Sequence, residues 1–154
     1  MPTPKRISPA GAKFMQAFEA CILEVYADEG GLATCGWGHL MLPGDPPGPW
    51  TQEYADEVFV RDLAIHEGAV NQGAVVDLLQ HEFDALVSFS FNVGYTAFER
   101  STLLQYVNVN DFAHAACEFP RWGKVKNKWS AGLLRRRAGE QAIFLLADYS
   151  RVPT

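Results

Sequence analysis

At 154 residues, 48% of them hydrophobic and 20% charged, the chain is ordinary globular material of a length that suits one domain. No window approaches the ~20 apolar residues of a membrane span, and the opening Met1-Pro2-Thr3-Pro4-Lys5-Arg6 lacks the apolar core of a signal peptide. The net charge of −5 is unevenly spread, because Arg121 to Arg137 holds seven basic residues and no acidic one. That block is either a landing surface for an anionic polymer or a solvated face with one or two structural ion pairs.

In chain order, residues 1–8 read as a flexible leader. Ser8-Pro9 sets an N-cap before a proline at the first helical position, and Phe14, Met15, Phe18 and Ile22 recur at helical spacing, which predicts a helix from Pro9 to about Glu19. From Leu23 the texture changes. Leu23-Glu24-Val25-Tyr26 reads as a strand, Glu29-Gly30-Gly31 as a turn and Leu32 to Thr34 as the return. A lone hairpin is marginal in water, so it must lean on a neighbouring helix. Pro43-Gly44-Asp45-Pro46-Pro47-Gly48-Pro49 suits neither helix nor central strand and ends a small lobe of residues 8–50. Thr51 caps a connecting helix over 51–70, with Glu53, Asp56 and Glu57 favourably placed in its first turns.

Residues 71–150 read as helical throughout. His81 to Val93 is apolar on nearly all sides, as a central buried helix would be. Ser101 caps a short helix, Asp111 opens the next, and Leu133 to Asp148 makes the last. The expected fold is α+β and mostly helical, a small β-hairpin lobe joined by a helix to a helical lobe, all within a single domain over 1–154.

Few catalytic motifs are present. There is no Gly-rich phosphate loop and no zinc spacing, and His81-Glu82 opens like a metalloprotease helix but has Ala85 where the second histidine belongs. With His39, His66, His81 and His114 scattered, no metal and no cofactor are expected. Cys21, Cys35 and Cys117 match no ligand or redox spacing and read as reduced, buried thiols, with one disulfide left open.

The informative stretch runs from Phe18 to Leu40. Glu19 ends an apolar helix nine residues before Asp28, which sits by a glycine turn, and Thr34 follows six residues later on the returning strand. A helix end facing a hairpin can hold two carboxylates across a cleft, the layout glycoside hydrolysis needs. A separation of ~6.5–9.5 Å admits a water and inverts the anomeric centre, whereas ~5–5.5 Å gives a covalent route. Spacing alone leaves a plainer alternative, a helix-end glutamate and an Asx-turn aspartate.

At these residues the chain resembles a known family. Phe18-Glu19, Tyr26-x-Asp28 and Thr34-x-Gly36-Trp37-Gly38-His39 are similar to the catalytic signature of phage-type lysozymes (endolysins, muramidases). Ala85 to Gly94, Phe98 and Ser101-Thr102-Leu103-Leu104 resemble that family's central helix and its successor. Phe119-x-Arg121-Trp122 and Gly132-Leu133-Leu134-Arg135-Arg136-Arg137 resemble its C-terminal lobe. The likeness covers about residues 8 to 148. The chain departs from the pattern after Arg121-Trp122, where Gly123-Lys124-Val125-Lys126-Asn127-Lys128 stands in place of a Gly-Gly loop.

The resemblance implies an inverting hydrolase of the β-1,4 linkage between N-acetylmuramic acid and N-acetylglucosamine. Glu19 would be its proton donor, Asp28 would activate water and Thr34 would help hold it. It implies that Leu40, Phe91 and Ser101 touch the sugar chain, that Arg135 pairs with the catalytic glutamate, and that His39 has an orienting, ion-paired role, with Trp37 in the core. It also implies a monomer acting on peptidoglycan, no nucleic-acid partner, and residence in the bacterial host cytoplasm until a holin opens a route to the wall. Two alternatives stay open: a lytic transglycosylase on the same linkage, for which Asp28 and Thr34 would be superfluous, and a peptidoglycan-binding module without turnover.

Overall fold

The structure, a computed structural model, describes residues 2–154. Helix α1 (Pro9–Glu19) begins as its cap dictates: the Ser8 hydroxyl accepts from Gly11 N–H at 3.0 Å, and Pro9 has no N–H to leave orphaned. It stops at Glu19 because Ala20 turns to a positive φ of 48° and leads the chain into a sheet.

Strands β1 (Ile22–Ala27), β2 (Ala33–Gly36) and β3 (His39–Leu40) form a three-stranded antiparallel meander in that order. The third strand escaped the sequence reading because it is two residues long. Gly36 (φ 66°) and Gly38 (φ 77°) supply the backbone that lets the chain reverse so tightly. The register pairs Tyr26 with Thr34 and Thr34 with Leu40. These side chains therefore form one row on one face of the sheet.

The sheet leans on α2 (Gln52–Gly73) through a small core of Cys35, Trp50, Ala55 and Val58. Trp50 Nε1 donates to the Pro46 carbonyl at 2.8 Å and so fastens the proline-rich segment beneath it. The 22 residues of α2 extend roughly 33 Å at 1.5 Å per residue, enough to reach from the small lobe into the helical one. There α3 (Gln80–Val93) is buried at every position from Glu82 to Ser90. Around it lie α4 (Tyr95–Glu99), α5 (Thr102–Asn108), α6 (Phe112–Glu118) and α7 (Ala131–Leu146). Phe89 meets Phe98, Phe119 and Trp122 edge to face, which fixes the centre of the main core.

Two expectations are corrected here. The second half is not helical throughout: β4 (Lys124–Val125) and β5 (Lys128–Trp129) form a hairpin between α6 and α7. Its turn residues Lys126 (φ 48°) and Asn127 (φ 64°) are both left-handed, the geometry of a two-residue hairpin turn. A lysine in the first position conceals the signal that Asn-Gly or Gly-Gly would give.

Nor is the leader loose from Lys5 to Ser8. Lys5 N–H donates to Asn71 Oδ1 at 2.9 Å and Ile7 N–H to Glu67 Oε2 at 2.7 Å, so polar side chains of α2 satisfy this extended backbone. Asp84, 1% exposed, accepts from Ser8 N–H, Gln80 Nε2, the Ser8 hydroxyl and Tyr149 Oη. One buried carboxylate thus ties both ends of the chain to α3. Burial and the hydrogen bond to Asp84 push the Tyr149 phenol up.

Candidate active site

The hairpin holds Asp28 and Thr34 through a single backbone unit. Leu32 N–H donates to Asp28 Oδ1 at 2.8 Å, and the Leu32 carbonyl accepts both Asp28 N–H and the Thr34 hydroxyl, each at 2.9 Å. This arrangement commits Asp28 Oδ1 and leaves Oδ2 without a protein donor among the described residues. Thr34 is 2% exposed, so its rotamer is locked by packing as well as by that bond.

Glu19 approaches from the end of α1. The phenol of Tyr26 is pushed up by partial burial first, then by Glu19 and by Asp28. A ring that feels both charges means that helix end and turn share one neighbourhood.

Glu19 is fixed from two sides. A Cβ on Gly38 would collide with Glu19 Oε2 and lie 2.8 Å from its Cδ, so the glutamate occupies space that only glycine vacates. On the other side Arg136 Nη1 donates to Glu19 Oε1. The resemblance pointed to Arg135 for this partner, and the structure corrects it by one residue. Arg135 is exposed, whereas Arg136 is 3% exposed and faces the core.

Helical periodicity carried the signal. Ile143 is buried, and Arg136 lies seven residues, or two turns, before it on the same face.

Three further buried groups back this pair and were missed from sequence. Glu140, 0% exposed, meets Arg136 Nε at 3.3 Å and Arg137 Nε at 3.0 Å and accepts from the Ser88 hydroxyl at 2.6 Å. Arg137 Nη2 donates to Asn92 Oδ1 at 2.6 Å. Two cations and two anions thus balance, with Arg136, Arg137 and Glu140 buried and Glu19 at the partly exposed edge. Burial would lower the Arg136 pKa, but its two carboxylates outweigh that and raise it. Burial pulls Arg137 down to about 10, because it shares only Glu140 and sits beside the like charge of Arg136.

His39 lies between two aspartates. Nδ1 meets Asp62 Oδ2 at 2.7 Å and Nε2 meets Asp45 Oδ2 at 2.9 Å, so the ring clamps the loop after β3 to α2. Burial opposes its charge, yet the two aspartates outweigh it and raise its pKa. Trp37 is half-buried, packs against both cores, and donates from Nε1 to Asp56 at 2.7 Å.

Of the residues expected to touch sugar, Leu40 is 48% exposed in the row that contains Thr34, and Phe91 is half-buried against Phe59 and His66. Ser101 does not share their position. It is 3% exposed, and its hydroxyl donates to the Phe98 carbonyl and accepts Leu104 N–H. It caps α5. The three cysteines are unpaired; Cys35 is buried, Cys21 half-buried and Cys117 exposed, contrary to a uniformly buried set.

Comparison with known proteins agrees with this geometry. The Phage lysozyme family model matches residues 16–140, a span that includes Glu19, Asp28, Thr34 and Arg136. The chain is 40% identical over 141 residues to the endolysin of Bacillus phage PZA, covering 90% of this chain and 55% of that relative. It therefore spans about half the length of the first curated relatives it matches.

Among solved structures, the endolysin from Escherichia coli O157:H7 phage FAHEc1 superimposes with a TM-score of 0.85 at 32% identity, covering 100% of both chains. The muramidase domain of SpmX from Asticaccaulis excentricus gives 0.80 at 34% identity, with 91% of this chain and 97% of that one covered. From the helix-end glutamate to the hairpin that faces it, and along most of its length, the chain belongs to the phage lysozyme family.

Proposed function

We propose that this chain is a muramidase that cleaves the β-1,4 linkage between N-acetylmuramic acid and N-acetylglucosamine in peptidoglycan, with inversion. The observation that carries the reading is the pairing of a buttressed helix-end Glu19 with an Asp28–Thr34 hairpin in a member of this family. Arg136 takes Glu19 Oε1, which leaves Oε2 over Gly38 to carry the proton to the leaving glycosidic oxygen. Asp28 Oδ2, which has no protein donor among the described residues, takes the proton of an attacking water. The Thr34 hydroxyl, its hydrogen already given to Leu32, offers an acceptor for that water. Leu40 and Phe91 contribute apolar contacts along the glycan.

The biological setting belongs to the same proposal. It is lysis of a host cell by a phage or prophage, with a monomer held in the host cytoplasm until a holin gives access to the wall. Among the described residues no helix is long and apolar enough to cross a membrane.

The test is the first product. Proton NMR of the nascent reducing end should show the α-anomer, because a water on the far side of the sugar inverts the β-linkage. A β-anomer appearing first, or a trapped glycosyl-enzyme on Asp28, overturns the water-positioning role. Anhydro-muramyl ends would identify a lytic transglycosylase instead.

Gly38 gives a second test. In Gly38→Ala the new methyl displaces the Glu19 carboxylate, the flexible partner in that clash, and an alanine must also hold φ 77°. We expect turnover to fall by about 100-fold, the cost of misplacing a reacting group by roughly 1 Å, in a protein that still melts cooperatively. Turnover equal to the parent's would show that Glu19 does not act from this position.

A further inference from the structure

The β4–β5 hairpin grows from the helical lobe yet comes to rest against the turn that carries Asp28. The Ser130 hydroxyl, just after β5, donates to Glu29 Oε2 at 3.1 Å. A Cβ on Gly30 would lie 3.9 Å from Val125 Cγ1, and one on Gly31 3.7 Å from Lys126 Nζ. The tip lysine therefore stands beside the turn that carries the aspartate, three residues along it from Asp28.

Behind the tip, Lys124 pairs across the hairpin with Trp129, and its ammonium sits 4.8 Å over the indole ring. That contact holds a long, flexible cation in one place, on a tryptophan that is 60% exposed. Elsewhere in the basic block Arg121 pairs with Glu118, and Arg136 and Arg137 are neutralised within the core. Among the described residues Lys124, Lys126 and Lys128 take part in no ion pair. In a chain of net charge −5, they concentrate positive potential on the hairpin beside the Asp28 turn.

We propose that this hairpin reads a free carboxylate of the stem peptide carried by the muramic acid beside the scissile bond, with Lys126 as the pairing cation and Lys124, braced on Trp129, extending the basic surface. The proposal rests on the muramidase reading and adds a specificity element to it. Every muramic acid in the polymer hangs its peptide from the lactyl group, so a glycan strand at the Asp28 turn brings such carboxylates to the hairpin. A neutral sugar face offers nothing that demands cations there. Lysine suits a mobile carboxylate because it acts as a point charge on a flexible stem and needs no fixed approach angle.

The test uses the double variant Lys124→Gln/Lys126→Asn, in which asparagine accepts the left-handed turn. The substrates are glycan chains bearing stem peptides with free carboxylates and the same chains with those carboxylates amidated. For the parent protein we expect KM to be lower by about fivefold on the free-carboxylate chains, the size of an exposed ion pair. The double variant should bring that ratio close to one at unchanged melting temperature. No preference in the parent, or a preference that survives in the double variant, overturns the proposal. If the parent releases no reducing ends from either substrate, the muramidase reading fails, and binding of the two chain types to Glu19→Gln protein, with and without the lysine changes, still decides the role of the hairpin.

Discussion

Glu19→Gln should retain the fold and lose wall-lytic turnover by about 10²–10⁴-fold, the contribution of a positioned general acid. An amide keeps the shape that fills the space over Gly38, and its oxygen still accepts from Arg136. What it lacks is a proton that can leave with the glycosidic oxygen. Arg136 keeps Glu140 as a second anionic partner, so removing the charge at Glu19 does not leave that arginine bare. The loss should therefore appear in kcat while the melting transition and glycan binding persist. Turbidity clearing by purified Glu19→Gln at a rate near the parent's would remove Glu19 from the acid role. An unfolded protein would show instead that its pairing with Arg136 is chiefly structural.

The second large effect is on stability and lies one step behind the site. Glu140→Gln should destabilise the protein by about 3–5 kcal/mol, the cost of leaving a buried charge without its partner. That is a large share of the roughly 5–15 kcal/mol by which domains are stable. The reason is specific to the geometry. Glu19 sits at the edge of the charge cluster, its side chain 14% exposed, whereas among the described residues Glu140 is the only carboxylate in contact with Arg137, and both of their side chains are 0% exposed.

At ~2–4 °C per kcal/mol for a chain of this size, thermal melting should fall by roughly 10 °C. Adding Arg137→Met to Glu140→Gln removes the stranded cation and should recover part of that loss, because apolar replacement of a buried pair is often near neutral. A single variant that melts with the parent, or a double variant less stable than the single, would show that Glu140 is not the neutralising centre.

The sequence by itself determined most of what is local. Ser8-Pro9, Thr51, Ser101 and Asp111 announce helix starts because a short polar side chain before a helix satisfies its orphan N–H groups whatever surrounds it. The order Glu19, Asp28, Thr34 was legible because a helix end and a tight hairpin are adjacent in the chain, and adjacency limits how far apart they can be. Tertiary structure alone decided what depends on distant partners. It chose Arg136 over Arg135, since 117 residues separate that arginine from Glu19 and only the face α7 turns to the core selects between neighbours. It gave the Ser101 hydroxyl to a helix cap. It pinned residues 5–8, whose extended backbone finds its acceptors 60 or more residues away on α2 and α3. It also brought the Lys124–Trp129 hairpin to the Asp28 turn through Ser130 and Glu29, 101 residues apart. A sequence read through its periodicities and caps records which face a residue can present, and the packing of one element on another fixes what that face meets.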